Sequence, residues 1–446
     1  MLRTHTCGEL RKKDKGKKVK LCGWVDTIRS YGKLHFIDLR DRYGKIQIVV
    51  KGKLDLKPEY VVCISGKIEL RKKGTENKKV STGDVELVSE KIDVLNKSRV
   101  LPFEVGEDVG DDMRMKYRYL DLRSPKMQEN LLLRHKVSKA INDYMDNAGF
   151  INIETPILGK STPEGARDYI VPSRVNAGKF YALPQSPQVL KQLLMISGFD
   201  KYYQIPRCFR DEDLRADRQP EFTQLDVEMS FVEPDDVISE MEKLWTYVFK
   251  EVLGVKLKTP FPRMNYDEAM KKYKRDNPDT RKKGEKFAFV WVTDFPMFEY
   301  NKEDKRLYAT HHPFTMPSGE VNKKSKSAAY DLVLNGSEIG GGSIRIHDSE
   351  IQKKVFDILG ISEKEAKDKF GFLLDALSYG APPHGGIAFG IDRICAIMAG
   401  TDSIRDVIAF PKNKAAQDVM LDAPNEINKE QLKEAHIGLD VKKRKK

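Results

Sequence analysis

The chain has 446 residues, of which 40% are hydrophobic and 33% are charged, and its formal net charge is +12. This composition excludes a disordered chain and is typical of a globular protein with two or three domains. No apolar run approaches the roughly 18 residues of a membrane-spanning helix, and the first residues match neither a secretory signal nor a transit peptide. We therefore expect a cytoplasmic protein without a membrane partner.

The charge balance favours a polyanionic partner, because lysine and arginine outnumber aspartate and glutamate by 79 to 67. Basic residues cluster at 11–20, at 281–286 and in the tail at 442–446. Taken singly, each cluster is better explained as a solvated surface. Charge alone therefore does not establish nucleic-acid binding.

The cysteines form no CxxC pair and no regular framework; they are Cys7, Cys22, Cys63, Cys208 and Cys395. This spacing indicates neither a zinc site nor disulfides. We therefore predict five reduced thiols.

Residues 1–105 read as a small all-β domain. Five short runs rich in β-branched residues are separated by turn signals, and they lie at 19–25, 34–39, 46–50, 60–68 and 85–94. Five strands in about a hundred residues fit a closed barrel, for which the OB-fold is the common solution.

Residues 106–130 are charged and contain glycine and proline, so we place a hinge there. An amphipathic helix is predicted at 131–149. Strand-like runs then alternate with helices up to about residue 415; these runs are 202–205, 224–231, 287–292, 329–334 and 339–346. This order predicts an α+β domain at 131–415 built on an antiparallel sheet, followed by a C-terminal extension at 416–446.

The segment 208–219 combines three arginines with four acidic residues between two predicted strands. Arg210 stands at a strand end beside Phe209, where its planar guanidinium suits carboxylate or phosphate oxygens. From the residues alone, anion binding and a surface ion-pair network are equally good explanations.

A second segment places three consecutive glycines, 340–342, inside a predicted strand, where they pack nothing and cost conformational entropy. They favour a flat ligand lying against the backbone, near the fixed charges of Arg345 and Arg393. Asp331 and Glu338 could hold Mg²⁺ there, since that ion takes one or two carboxylates together with phosphates and water. The alternative is that both acids are simply exposed.

Together these segments resemble the class II aminoacyl-tRNA synthetases, specifically the bacterial-type aspartyl enzymes. The segments that carry the resemblance are 161–169, 185–191, 208–219, 336–345 and 386–393, with 3–8, 21–25, 36–38, 117–123, 222–226, 311–315 and 405–412. They cover nearly the whole chain in order. The resemblance implies a ligase that activates L-aspartate with ATP and transfers it to tRNA(Asp), with tRNA(Asn) as a further candidate.

The resemblance also assigns roles around ATP. Arg210 and Arg393 would be the catalytic arginines, and Asp331 and Glu338 the Mg²⁺ ligands. The ATP-contacting set would be Arg210, Asp211, Glu212, Gln219, Glu338, Gly390, Ile391, Asp392 and Arg393.

For the amino acid, Lys191 and Arg345 match the two cations that grip the side-chain carboxylate of the substrate. Two cations accept aspartate and leave the amide of asparagine with unmatched donors. The whole aspartate-binding set would be Glu164, Gln188, Lys191, Arg210, Asp226, His311 and Arg345.

In the barrel, Arg29, Phe36 and Gln47 match the positions at which the family reads the anticodon, although Phe36 could instead belong to the barrel core. The helix at 131–149 resembles the motif that forms a homodimer interface. One departure is plain: the large insertion domain of the bacterial-type enzymes is missing, and a short lysine-rich connector stands near 265–286.

Two rival functions remain at this point. An amino-acid:ammonia ligase would share the catalytic domain but lack a barrel, so residues 1–105 argue against it. A catalytically inactive tRNA-binding or regulatory paralogue would lose arginines of the active site, yet Arg210, Arg345 and Arg393 are all present.

Overall fold

The structure is a computed structural model, and it describes residues 1–161 and 166–440. The chain divides into two compact units, Met1–Glu107 and Asp108–Lys446. No helix within the described ranges is long and apolar enough to cross a membrane.

The first unit is a closed five-stranded barrel with the strand order β1-β2-β3-β5-β4. Its strands are β1 (Lys18–Tyr31), β2 (Leu34–Asp41), β3 (Gly44–Lys51), β4 (Val61–Leu70) and β5 (Val85–Asn96), and a 3-10 helix spans Lys12–Asp14. All pairs are antiparallel except β3 with β5. Alternate side chains such as Leu21, Ile37 and Ile64 fill the interior, which confirms the predicted OB-like barrel.

The prediction of five reduced thiols is wrong for two of them. Cys22 on β1 and Cys63 on β4 form a disulfide, because the antiparallel register places them directly opposite each other with their Cα atoms 4.2 Å apart. Cys7, Cys208 and Cys395 are buried and lie outside this disulfide. Residue spacing along the chain carries no information about this cross-strand pairing.

The second unit is an α+β domain. Its helices are α1 (Asp111–Lys116), α2 (Arg118–Asp121), α3 (Pro125–Asn147), α4 (Gln188–Ile196), α5 (Pro234–Leu253), α6 (Tyr266–Tyr273), α7 (Ser349–Leu359), α8 (Glu363–Leu377), α9 (Ile391–Ala399) and α10 (Lys429–Glu434), with a 3-10 helix at Ile404–Val407. Its strands are β6 (Ile151–Asn152), β7 (Ile170–Pro172), β8 (Phe180–Ala182), β9 (Lys201–Gln204), β10 (Arg207–Phe209), β11 (Glu221–Ser230), β12 (Arg263–Asn265), β13 (Phe289–Thr293), β14 (Phe298–Asn301), β15 (Arg306–Ala309), β16 (Pro317–Ser318), β17 (Lys326–Ser327), β18 (Ala329–Leu334), β19 (Ser337–Ile344) and β20 (His384–Gly390).

Among the described residues, nine of these strands form one sheet, in the order β12-β13-β18-β19-β20-β11-β9-β6 with β10 paired to β11. The centre is antiparallel as predicted, but both edge pairs, β12 with β13 and β6 with β9, are parallel. The sheet is therefore mixed. Two-residue and three-residue edge strands give too little periodicity for a sequence to reveal their direction.

The sheet separates two faces. On one face α3, α5 and α9 pack against apolar residues of the central strands, including Leu225, Val227 and Phe389, and this cluster forms the main core. On the other face α4 and α8 pack around Phe314 in a smaller cluster. Side chains alternate along a strand, so Asp226 and Glu228, which follow Leu225 and Val227 on β11, point to this second face.

The prediction of a hinge at 106–130 is wrong for most of that segment. Residues from 111 onward form α1, α2 and the start of α3, and they are fixed to the second unit. The buried Arg118 donates hydrogen bonds to the carbonyl oxygens of Arg405, Ile408 and Ala409, at 2.6, 2.8 and 2.9 Å. The charged residues of this segment therefore belong to helices held by hydrogen bonds and ion pairs, and not to a hinge. The basic tail at 442–446 lies outside the described residues.

Candidate active site

Four buried charged side chains form a compact network on the second face of the sheet. Lys191 on α4 lies 3.1 Å from Asp226 Oδ1 and 3.3 Å from Glu228 Oε2. Arg345, directly after β19, donates from Nε to Glu228 Oε1 at 2.8 Å and from Nη2 to Glu228 Oε2 at 3.1 Å. Each of the four is at most 2% exposed. We call these four residues the charge box.

Glu228 is a charged residue of this site that is absent from the predicted set. Asp226 and Glu228 alternate with the core residues Leu225 and Val227 on β11, so both carboxylates point to the same face. The two-residue spacing of Asp226 and Glu228 on an apolar strand could have indicated this site, because two buried acids on one face of a strand require cationic partners.

The hydrogen bonds of the charge box leave two donors free. Arg345 has five N–H groups. Two go to Glu228, and Nη1 uses two more on His312 Nε2 at 2.7 Å and Ser343 Oγ at 2.8 Å. Lys191 has three N–H groups; it donates one hydrogen bond, to Asp226 at 3.1 Å, and it forms an ion pair with Glu228 at 3.3 Å. Counting hydrogen bonds and this ion pair together among the described residues, one N–H remains on each cation, which matches the two oxygens of one carboxylate.

Burial and charge pairing set the protonation of the charge box. Burial opposes ionisation of Glu228, but the nearby Arg345 and Lys191 outweigh it and lower the pKa of Glu228. For Asp226 burial prevails over the attraction of Lys191, and the pKa is raised. Burial and the charge of Arg345 hold the pKa of His312 well below its usual range, so this imidazole is neutral.

Several buried polar atoms around the charge box have no hydrogen-bond partner among the described residues. They include Gln188 Nε2, Asp226 Oδ2, Arg210 Nε and His311 Nδ1. A buried polar atom without a partner costs about 1–3 kcal/mol, so clustered ones indicate a place where a polar ligand completes the bonding. All four residues belong to the predicted aspartate-binding set.

Beside the charge box lies a cleft of about 260 Å³ between the loop 210–219 and the ends of β19 and β20. Its lining includes residues predicted to contact ATP, namely Arg210, Glu212, Gln219, Glu338, Gly390, Asp392 and Arg393. The guanidinium of Arg210 lies 5.0 Å from the ring centroid of Phe222. Arg393 donates to the carbonyl oxygen of Glu338 and, at 3.3 Å, to Asp217. Two cations thus border a cleft lined by several of the predicted ATP contacts.

Asp331 on β18 and Glu338 on β19 lie close enough for their charges to interact. The charge of Asp331, together with burial, raises the pKa of Glu338 to about 7. His311 Nε2 lies 3.3 Å from Asp331 Oδ1, and this carboxylate outweighs burial to raise the pKa of His311. A Cβ on Gly341 would stand 2.7 Å from Asp331 Oδ1, so only glycine leaves room there. Two repelling carboxylates beside a cleft bordered by arginines fit a divalent cation that arrives with phosphates.

Some predicted ATP contacts have other roles in the structure. The Ile391 side chain is fully buried in the main core, so only its backbone is left for the predicted contact with ATP. Asp392 lines the cleft, but its carboxylate binds Arg134 and accepts from the Thr223 amide at 2.9 Å. The Gln219 amide group holds the backbone of Lys412.

One other predicted residue, Asp211, is not brought into the lining. Asp211 is exposed, and its amide donates to the carbonyl of Arg167 at 3.0 Å. Glu164 of the predicted aspartate-binding set lies outside the described residues. Among the described residues, no group of three or more His, Cys, Asp and Glu side chains could hold a metal ion.

In the barrel, the three predicted anticodon readers share one surface of β1, β2 and β3. Arg29 stands opposite Phe36 in the β1–β2 register, and its Nη2 lies 3.3 Å from Gln47 Oε1. Phe36 is half-buried, lies outside the barrel core and packs edge-on against Tyr31 at 6.1 Å. The alternative of a core role for Phe36 is therefore excluded.

Comparisons with known proteins agree with both units. Residues 110–414 match the family model of tRNA synthetases class II (D, K and N), and residues 19–95 match that of the OB-fold nucleic acid binding domain. An aspartate–tRNA(Asp/Asn) ligase of Thermotoga neapolitana is 45% identical, with 99% of this chain and all of the relative covered. An aspartate–tRNA ligase of Thermosipho africanus is also 45% identical, with 99% of each covered.

Solved structures match the fold as well. The asparaginyl-tRNA synthetase of Pyrococcus horikoshii, complexed with asparaginyl-adenylate, superimposes with a TM-score of 0.77 at 24% identity, covering 92% of this chain and 98% of that chain. The Thermotoga neapolitana alignment spans 577 positions, which exceeds the 446 residues of this chain by 131. The relative therefore contains well over a hundred residues without a counterpart here.

Proposed function

This chain belongs to the class II tRNA synthetases of the aspartyl, lysyl and asparaginyl group, and we propose that it joins L-aspartate to tRNA(Asp) in two ATP-dependent steps. The observation that carries this assignment is the charge box with its two free donors. No observation favours the inactive paralogue, because Arg210, Arg345 and Arg393 all border the site.

Aspartate fits the donors and acceptors of the site. Its side-chain carboxylate takes the remaining N–H groups of Lys191 and Arg345, and its ammonium group meets the unpartnered Oδ2 of Asp226. The amide of asparagine would turn N–H donors toward N–H donors in a buried site, which costs several kcal/mol. The ammonium group of lysine would face two cations. The pocket therefore selects a second carboxylate.

In the first step the α-carboxylate of aspartate attacks the α-phosphorus of ATP. A phosphorus–oxygen bond forms to the amino acid, the bond to the β-phosphate oxygen breaks, and pyrophosphate leaves. Arg210 and Arg393 hold the negative charge that shifts between these oxygens, and their fixed positions provide the catalysis. In the second step the terminal ribose hydroxyl of tRNA attacks the carbonyl carbon and releases AMP.

Asp331 and Glu338 would hold Mg²⁺ that arrives with ATP. When bound, this ion would screen the phosphate oxygens and relieve the repulsion between the two carboxylates. His311 borders this carboxylate pair, with its Nε2 3.3 Å from Asp331 Oδ1.

Arg29, Phe36 and Gln47 would read the anticodon, with Phe36 stacking an unstacked base and the two polar side chains contacting base edges. We assign tRNA(Asn) as a second acceptor, because the relatives of Thermotoga neapolitana and Caldanaerobacter subterraneus are named aspartate–tRNA(Asp/Asn) ligases. Charging assays with purified tRNA(Asp) and tRNA(Asn) test this; aspartate accepted by tRNA(Asp) alone would refute the second acceptor.

The working assembly would be a cytoplasmic homodimer with twofold symmetry. Exposed apolar residues follow α3, among them Ile151, Ile157 and Leu158. Such a patch favours a protein interface, and a second copy satisfies it. Light scattering coupled to size exclusion should give twice the 51.1 kDa chain mass; a monomer would contradict this proposal.

The proposed activity is tested by amino-acid-dependent exchange of pyrophosphate into ATP. Aspartate should support exchange, whereas asparagine and lysine should not exceed the background without amino acid. Equal exchange with asparagine would show that the charge box does not select the substrate.

A further inference from the structure

The segment between β12 and β13 carries an exposed basic surface that the proposed chemistry does not use. We call residues 266–288 the connector; it contains eight lysines and arginines against five acids. Six lysines of the connector are exposed: Lys271, Lys272, Lys274, Lys282, Lys283 and Lys286. In the part of the chain that the structure describes, none of the six forms an ion pair.

The acids of the connector do not neutralise these lysines. Asp279 pairs with Arg281 at 2.5 Å, and Asp267 pairs at 2.7 Å with Lys326, which lies outside the connector. Glu285 accepts a hydrogen bond from the backbone amide of Lys282 at 3.0 Å. Lys272 and Lys286 lie over the neighbouring rings of Tyr273 and Phe287, at 5.1 and 5.3 Å from the centroids. None of the six ammonium groups is neutralised by an acid among the described residues, so their charges are available to a polyanion.

The connector is fixed to the turn between β18 and β19. Asn335 donates to the carbonyl of Lys286 at 2.9 Å and accepts from the amide of Ala288 at 2.9 Å, while Arg275 donates to the carbonyl of Gly336 at 3.0 Å. Two residues beyond this turn stands Glu338 at the cleft. These hydrogen bonds place the connector beside the site.

We propose that the connector binds the phosphate backbone of tRNA beside the active site and does not read its bases. This inference rests on the proposed function, since a tRNA whose terminal ribose reaches the cleft must bring neighbouring phosphates to its mouth. Solvated lysines supply point charges for phosphates, whereas base reading uses bidentate or stacking side chains.

The test compares two triple variants of the full-length protein. One carries Lys274→Gln, Lys282→Gln and Lys283→Gln in the connector. The matched control carries Lys250→Gln, Lys256→Gln and Lys258→Gln, which lie at and after the end of α5, on the face of the sheet opposite the charge box. Both lose three positive charges. Affinity for tRNA(Asp) and for a tRNA of another specificity is measured from 50 to 300 mM salt.

The connector variant should bind both tRNAs more weakly, and the slope of log affinity against log salt should become shallower by about two to three, because each lost phosphate contact releases fewer counterions. The control should keep the wild-type slope. Unchanged slopes in the connector variant, an equal change in the control, or a loss confined to tRNA(Asp) would each overturn the proposal. Aspartate-dependent pyrophosphate exchange tests the proposed function separately, because its absence in the wild type would refute that function. Whether the connector binds tRNA is decided by the salt comparison alone.

Discussion

Glu228 accepts hydrogen bonds from Arg345 through both oxygens, and one of those oxygens also lies 3.3 Å from Lys191. It thereby fixes two cations that would otherwise repel each other in a buried site. The ligand-free charge box is electrically balanced, with two cations and two carboxylates. At the scale of single residues, we expect substrate selectivity to arise from the N–H groups that remain on Lys191 and Arg345, because the charges themselves are already paired.

Loss of either cation should abolish amino-acid activation. For Arg345→Leu and for Lys191→Met we expect at least a hundredfold loss of aspartate-dependent exchange, since an unpaired buried charge costs about 3–5 kcal/mol. Lys250→Met, on α5 behind the sheet, is the control and should keep wild-type exchange. Near-normal exchange in both active-site variants would remove these residues from the pocket.

The raised pKa of Asp226 gives a pH-dependent stability effect. Because its folded pKa lies above its unfolded value, its favourable contribution is present at low pH and is lost as pH rises through the folded pKa. Asn cannot titrate. The difference in unfolding free energy between Asp226→Asn and wild type should therefore move in favour of the variant as pH rises.

Urea unfolding between pH 4 and 8 measures this difference. Met229→Leu, a non-titrating change on the same strand, serves as the control and should give a pH-independent difference. A difference for Asp226→Asn that stays constant, or that favours wild type as pH rises, would contradict the raised pKa.

At the scale of elements, the consecutive glycines of β19 lie against a side chain of β18 on one side and against the backbone of β20 on the other. A Cβ on Gly341 would meet the carboxylate oxygen Asp331 Oδ1 at 2.7 Å. A Cβ on Gly342 would meet the carbonyl oxygen of Gly386 at 2.2 Å, which belongs to the backbone of β20. A side chain can turn away, whereas a paired backbone cannot. Gly341 therefore leaves room for a side chain of the site, and Gly342 leaves room for the neighbouring strand of the sheet.

These contacts predict different defects for two otherwise identical substitutions. Gly341→Ala should raise the KM for ATP with a small change in Tm, because it displaces the Asp331 carboxylate. Gly342→Ala should lower Tm by several degrees, because it separates β19 from β20. Activity assays and thermal unfolding check both, with Gly110→Ala, which meets nothing within 4 Å, as the control. Equal Tm losses in the two variants would refute the distinction.

Several elements could be predicted from the sequence because their signals are local. The strand predicted at 329–334 is β18 with the same bounds, and the five barrel strands lie where β-branched runs occur. Features that depend on contacts distant in sequence could not be predicted. The Cys22–Cys63 disulfide requires the β1–β4 register, and the helical layer at 111–121 requires its contacts with residues 405–409.

In the candidate site, too, residues with a local sequence motif could be predicted, whereas residues whose role depends on distant contacts could not. Motif residues such as Lys191, Arg210 and Arg345 could be selected from the sequence, and the structure brings them to one face of the sheet. Glu228 was missed because its role depends on which face of β11 is buried against cations. Ile391 was assigned by its place in a motif, although the first turn of α9 directs its side chain into the core.

At the scale of the whole molecule, the two units have separate cores and separate candidate sites. Anticodon reading and aspartate activation should therefore be separable by point mutation. We expect the triple variant Arg29→Ala, Phe36→Ala and Gln47→Ala to keep pyrophosphate exchange while the kcat/KM for tRNA falls at least tenfold, since one stacked base alone contributes about 1–3 kcal/mol.

Lys91→Ala, an exposed change elsewhere on the barrel, should leave both activities intact. Parallel assays of exchange and tRNA charging make the comparison. Equal loss of both activities in the folded triple variant would mean that the barrel does not act as an independent reader.

The central claim is that this chain ligates aspartate to tRNA. The most direct test is attachment of labelled amino acid to purified tRNA(Asp) by the full-length protein with ATP and Mg²⁺, using aspartate, asparagine and lysine in parallel. The charge box predicts stable labelling of tRNA(Asp) with aspartate and background levels with the other two. Labelling with asparagine or lysine, or no labelling with aspartate by a folded protein, would contradict the account.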